Sequence, residues 1–242
     1  MEQSLEHSHS PEDIRERLEA GPSHSYLRDW VYGGIDGAVT TFAVVSGVVG
    51  AELSTRVILI LGIANLVADG FSMAAGNYSA TQTELQQLEH IREIEHRHIR
   101  LDPAGEREEV RQIFAAKGFE GENLETAVKV VTEDEDRWVD AMIRDEYGLP
   151  LDVRSPIRAA AATFLAFFIC GAVPLLPWLL GLPYPVRWSL SMTLAVFFGI
   201  GSLRSRWSVL PWWRTGLDTL LIGSTAAGLA FVIGHYLGRI GS

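Results

Sequence analysis

Apolar residues run almost unbroken through five stretches of the chain: Gly33–Ala51, Val57–Tyr78, Ile157–Leu182, Tyr184–Leu203 and Gly216–Leu237. Each is close to the roughly 20 residues that an α-helix needs to cross about 30 Å of hydrocarbon, so the pattern predicts five transmembrane helices. From about Ser79 to Arg154 the pattern becomes amphipathic, with Val110, Ile113 and Phe114, then Leu124, Ala127, Val128 and Val131, recurring at helical spacing among charged residues. Asp102-Pro103, Gly118 and Gly148-Leu149-Pro150 punctuate this segment. They divide it into expected helices over Gln82–Arg100, Gly105–Lys117, Asn123–Thr132 and Glu135–Tyr147. No breaker falls between Tyr78 and His90, so the first of these is expected to continue the second transmembrane helix. The expected fold is all-α: an integral membrane protein with five transmembrane helices and a small cytoplasmic helical bundle inserted between the second and third. The expected divisions are a polar N-terminal tail at 1–28, two transmembrane helices at 29–78, the acidic bundle at 79–154 and three transmembrane helices at 155–242.

Charge supplies an orientation. Arginines and lysines are retained on the cytoplasmic side of short loops. Arg15, Arg17 and Arg28 precede the first helix, and Arg204, Arg206 and Arg214 lie between the fourth and fifth, whereas the loops after helices one and three hold only Arg56 and Arg187. This places the N-terminus and the acidic bundle in the cytoplasm and the C-terminus outside. Met1–Ala20 is polar and lacks the apolar core of a secretory signal peptide, so the first helix is expected to drive insertion. The segment from Ser79 to Arg154 holds 19 Asp and Glu against 10 Arg and Lys, nearly all of the chain's net charge of −10. Such a patch repels nucleic acid and attracts cations, although a merely solubilising acidic face would have the same composition. The single cysteine, Cys170, lies within the third helix, which leaves neither a disulfide framework nor a Cys-based zinc site. A nucleotide-binding glycine loop is absent, so direct ATP drive has no support in the sequence.

Within the bundle Glu95 and His98 stand three apart, as do Glu106 and Glu109, and that spacing puts each pair on one helical face. Carboxylates with an imidazole suit iron(II), manganese(II) and zinc, and Glu-x-x-His occurs in helical di-iron sites. Arg92, Arg97, Arg107 and Arg111 are interleaved with these acids, so salt-bridged solvent faces are the competing reading. Met142 and Glu146, four apart, read either as further ligands or as a core methionine beside a surface acid. Inside the membrane an ionisable side chain costs several kcal/mol and is usually kept for a pathway or a partner. Asp36 lies among Gly33, Gly34 and Gly37, where another helix could approach closely; Asn65, Asp69 and Met73 share one face of helix two. Gly47, Gly50, Gly62, Gly70, Gly76, Gly223, Gly228 and Gly234 offer further sites for tight helix packing. His7, His9 and His24 read as part of a polar tail, with metal binding as the alternative.

Three segments carry a resemblance: Asp36-Gly37-Ala38-Val39-Thr40-Thr41-Phe42, Ala68-Asp69-Gly70-Phe71-Ser72-Met73-Ala74-Ala75-Gly76, and the Glu-rich insert ending Arg144-Asp145-Glu146-Tyr147-Gly148-Leu149. In this combination the chain resembles the vacuolar iron transporter family from about Ser25 onward. The resemblance implies a homodimeric exporter of iron(II), and often manganese(II), from the cytoplasm in exchange for protons. It implies no enzyme activity and no bound cofactor beyond the divalent ion. It implies that Asp36 and Met73 line the membrane path, and that the insert collects metal through Glu95 and His98, Glu106 and Glu109, and Met142 and Glu146. Two positions depart from the plant relatives: His98 replaces a glutamate, and Asn65 replaces a membrane glutamate for which Asp69 is a candidate substitute. The membrane would be the inner membrane in a bacterium and a vacuolar membrane in a plant or fungus. Two other classes are carried alongside. One is an iron sensor or ferroxidase module on a passive anchor; the other is an adaptor whose acidic bundle binds a basic protein.

Overall fold

The computed structural model describes residues 8–20 and 25–240. Every regular element among them is helical: α1 (Pro11–Ala20), α2 (Leu27–Gly50), α3 (Thr55–Leu101), α4 (Pro103–Ala116), α5 (Gly121–Thr132), α6 (Glu135–Asp145), α7 (Pro156–Ala172), α8 (Leu176–Leu179), α9 (Pro185–Arg204) and α10 (Trp212–Ile240). Helices α2, α3, α9 and α10, together with the stretch Pro156–Leu179, are long and apolar enough to cross a membrane. Helix α3 continues without interruption for 47 residues, as the absence of breakers predicts. Two elements differ from the sequence expectation. The third apolar stretch is not one helix, because Pro174 and Pro177 lack the N–H that a continuing α-helix needs; α7 stops at Ala172 and passes through a 3₁₀ turn (Val173–Leu175) into α8. The polar N-terminal segment contains α1, whose start follows ordinary capping chemistry. Ser10 Oγ accepts from the Asp13 N–H at 3.2 Å, Pro11 opens the helix, and Glu12 and Asp13 sit in its first turn.

By packing, the chain divides into two units, one containing Met1–Ser23 with Ala80–Arg154, the other His24–Ser79 with Ser155–Ser242. In the second unit, α2 is the central post. Gly33 and Gly37 face the backbone of α7 at Thr163 and Phe167, so closely that a Cβ at either would overlap it, and Gly171 of α7 sits against the backbone of Gly37 in return. The other end of α2 meets α10 the same way, where Gly234 abuts the backbone of Gly47 and Gly50 abuts that of Phe231. Two glycines of α3 face side chains instead: Gly62 lies against Leu175 and Gly70 against the ring of Phe167. Gly76 and Gly228, expected to permit tight packing, have open space where a Cβ would stand. Polar groups also bond across helices. The Asn77 amide donates to Asp29 Oδ1 at 3.0 Å and to Thr163 Oγ1 at 2.7 Å, and the Ser155 N–H donates to Tyr26 Oη at 3.1 Å.

In the first unit, Leu88, Ile91 and Ile99 of α3 pack with Val110 of α4, Val128 of α5 and Trp138, Val139, Met142 and Ile143 of α6. The i, i+1, i+4, i+5 spacing of the last four gives α6 one apolar face. Asp102 caps α4 by accepting from the Gly105 N–H at 3.0 Å, and Asp134 caps α6 by accepting from the Arg137 N–H at 2.8 Å. Two contacts join α6 to α3: an ion pair of Arg92 with Asp140 at 2.9 Å, and a hydrogen bond between His96 Nδ1 and Glu135 Oε1 at 2.8 Å.

Candidate metal centre

The final turns of α3 carry Glu95 and His98, and the first turn of α4 carries Glu106. The reversal at Asp102-Pro103 folds one end back over the other, because Pro103 cannot continue α3 but is well suited to open α4. The result gathers one ligand atom from each of Glu95, His98 and Glu106 within 4.8 Å of one another. His98 Nδ1 lies 3.4 Å from Glu106 Oε1 and 3.7 Å from Glu95 Oε1. Donors bonded to one ion at about 2.1 Å stand roughly 3.0 to 3.4 Å apart at octahedral or tetrahedral angles. The two separations from His98 are thus near the spacing of donors on one ion, and with all three atoms within 4.8 Å the cluster closes on a divalent cation when the carboxylates are drawn together.

The carboxylates are placed where an anion is costly. Glu95 is 1% exposed and Glu106 is 7%, and Oε2 of each is buried with no hydrogen-bond partner among the described residues. Glu95 Oε1 accepts a hydrogen bond from Tyr147 Oη at 3.0 Å. Burial, followed by the charges of Glu95, Glu109, Glu146 and Asp102, pushes the Glu106 carboxyl up to about 7. Partial burial and the charges of Glu109 and Glu95 also raise Glu146, with His98 acting in the opposite direction. The Tyr147 hydroxyl is raised by burial and by its bond to Glu95. Unpaired buried carboxylates are destabilising unless they take up a proton or a cation. The donor set therefore fits a divalent cation on both geometric and electrostatic grounds.

The remaining expected ligands are not gathered as closely. Glu109, one turn beyond Glu106, is exposed; Glu146 is exposed at the C-cap of α6; both act on the cluster through their charge. Met142 is fully buried within the apolar core of the bundle, on the face it shares with Val139 and Ile143. Of the interleaved arginines, Arg92 pairs with Asp140 and Arg111 with Glu108 and Glu125, while Arg107 lies over the Trp138 ring. Salt-bridged faces thus surround the cluster but do not consume it: among the described residues, none of Glu95, Glu106 and Glu109 pairs with an arginine. Tyr147 is the contributor that the sequence reading missed, since a hydroxyl beside an acidic motif has no spacing signature.

Among the apolar helices, Asp36 of α2 and Asp69 of α3 are near enough for one carboxylate's charge to act on the other. Asn65 Nδ2 donates to Thr40 Oγ1 at 3.3 Å, which joins its face of α3 to the Asp36 face of α2, Thr40 being one turn beyond Asp36. Met73, on the same α3 face as Asn65 and Asp69, packs half-buried against the apolar cluster formed by Val45, Ile58, Leu66 and Phe167. His7 and His24 lie outside the described residues, and His9 lies on the exposed segment before α1.

A profile of the VIT family matches residues 27–235. Over 211 residues the chain is 30% identical to a protein of Arabidopsis thaliana named vacuolar iron transporter 1, an alignment covering 86% of this chain and 84% of that one. It is 29% identical over 209 residues to a vacuolar iron transporter 1 of Eucalyptus grandis, covering 85% and 84%. A vacuolar iron transporter of Toxoplasma gondii is 34% identical over 156 residues, which span 63% of this chain and 52% of the relative.

Proposed function

We propose, from the premise that this chain belongs to the VIT family, that it is a membrane transporter exporting iron(II), with manganese(II) as a second cargo, from the cytoplasm in exchange for protons. One observation carries the reading: among the described residues, Glu95, His98 and Glu106 converge with two buried, unpartnered carboxylate oxygens in a chain with five membrane-length helical stretches. The metal is cargo, bound and passed on rather than kept. The relatives' names supply iron as the first candidate.

In this reading the N-terminus and the acidic insert lie in the cytoplasm, as the arginines before α2 and between α9 and α10 favour. Glu95, His98 and Glu106 capture the ion, with Glu109 and Glu146 raising the local negative field and Met142 as the family's further ligand position. Asp36 and Met73 receive it in the membrane, and Asp69 supplies the second carboxylate where Asn65 offers only an amide. Protons compete with metal for carboxylates and imidazole, so an inward proton gradient lowers metal affinity on the outer side and drives release. The working assembly is a homodimer in the bilayer, without nucleic-acid partners or a resident cofactor.

The test is iron(II) uptake into proteoliposomes under an imposed pH gradient, comparing the native chain with Asp36→Ala and Met73→Ala. Gradient-dependent flux, lost in both variants, is the expected result. Metal binding with no flux under any gradient would refute transport and favour the sensor or ferroxidase module; oxygen consumption on adding iron(II) would then separate those two.

A further inference from the structure

We propose that His98 makes the capture site selective for iron(II), cobalt(II), nickel(II) and zinc over manganese(II) and magnesium; this rests on reading the insert as a metal-capture site. Among the described residues His98 is the only nitrogen donor in the cluster, and its Nδ1 is 3.4 Å from one carboxylate oxygen and 3.7 Å from another. The side chain is 43% exposed, so the ring is free to turn a nitrogen onto an ion without disturbing the core. The other histidine on this turn is committed elsewhere, because His96 Nδ1 is held 2.8 Å from Glu135 of α6.

The selectivity follows from donor chemistry. A carboxylate at position 98 would add a third negative charge to Glu95 and Glu106 and would attract any small divalent cation, magnesium included. Imidazole adds no charge. It contributes a lone pair whose bond strengthens along the first-row series much more steeply than a carboxylate's does, while magnesium and manganese gain least from it. Exchanging one oxygen donor for nitrogen is expected to widen the cobalt-to-manganese affinity ratio by about tenfold. Tyr147 sharpens the effect, since its bond to Glu95 Oε1 limits how many oxygens the site can turn toward a hard ion.

The experiment uses the full chain in detergent at one fixed pH. Mn(II), Co(II) and Zn(II) are titrated separately by calorimetry into the native chain, His98→Glu and His98→Gln, with circular dichroism as a check on folding. Pulsed electron paramagnetic resonance of bound Mn(II) then reports whether an imidazole nitrogen couples to the ion. The expected result is a cobalt-to-manganese ratio that falls about tenfold in both variants, with nitrogen coupling present in the native chain and lost in each variant. Tight binding with an unchanged ratio in both variants would overturn the role of His98 and leave the capture reading intact. Failure of the native chain to bind any of the three ions would overturn the capture reading itself, and this inference with it.

Discussion

Replacing Glu106 by glutamine removes one negative charge from the carboxylate cluster while keeping the size and shape of the side chain. The metal-free insert should become more stable at high pH as a result. The Glu106 carboxyl titrates at about 7 in the folded chain and near 4.5 when free. Because the folded state holds the proton more tightly, the stability it contributes is fully present below 4.5 and is lost as pH rises through 7. That interval corresponds to about 3 kcal/mol between the two limits, a large share of the stability of a small helical bundle. Backbone hydrogen exchange over 103–116, in chelator-treated protein and corrected for intrinsic exchange rate, reads this directly. Protection of α4 in the native chain should fall between pH 5 and pH 8, while Glu106→Gln should hold its protection across that range and exceed the native chain at pH 8. Under the proposed reading, divalent metal at 100 times its dissociation constant would restore about 2.7 kcal/mol at pH 8 in the native chain. Native protection that is flat or rising with pH, or a glutamine variant no better protected at pH 8, would refute the argument.

Metal affinity should fall about tenfold for each pH unit below 7, because an ion must displace the Glu106 proton; calorimetric titration from pH 8 to pH 5.5 measures the slope, which Glu106→Gln should flatten. Met142→Ala should destabilise the bundle by about 2 to 5 kcal/mol and Met142→Leu by less than about 1.5, read as denaturant midpoints; metal affinity unchanged in the leucine variant would mark Met142 as a core residue only. Gly37→Leu should cost about 3 kcal/mol or more by forcing α2 away from the α7 backbone, with loss of the monodisperse peak on heated size-exclusion chromatography, whereas Gly76→Ala, with open space at its Cβ, should melt like the native chain. Asn77→Ala removes the amide that bonds Asp29 and Thr163 and should lower the melting temperature by an amount equivalent to about 1 to 3 kcal/mol.

Hydrophobic length made the membrane helices legible, and the uninterrupted run from Tyr78 to His90 foretold that α3 would continue into the insert. The break at Val173–Leu175 escaped notice because Pro174 and Pro177 are as apolar as their neighbours: hydropathy registers solubility in lipid, not the loss of an N–H. Helix α1 was legible in Ser10-Pro11-Glu12-Asp13, but the polarity of its sequence hid that capping signal. In the site, i, i+3 spacing found Glu95 with His98 and Glu106 with Glu109. Spacing reports a shared face of one helix and says nothing of which face meets the next helix, so it could not tell that Glu106 closes on His98 while Glu109 stays exposed. The Tyr147 bond to Glu95 spans 52 residues, beyond the reach of any local pattern.

The seams that α2 makes with α7 and with α10 have little compliance. Where glycine brings backbone onto backbone, as α2 does with α7 and with α10, no rotamer can absorb a displacement, and sliding one helix past the other must strain main chain. The contacts of α3 at Gly62 and Gly70 end instead on Leu175 and Phe167, side chains that are themselves fully buried and have little room to swing. A displacement of α2 against either partner is therefore carried as main-chain strain, and Asp36, between Gly33 and Gly37, is held on the stiff α2–α7 pair.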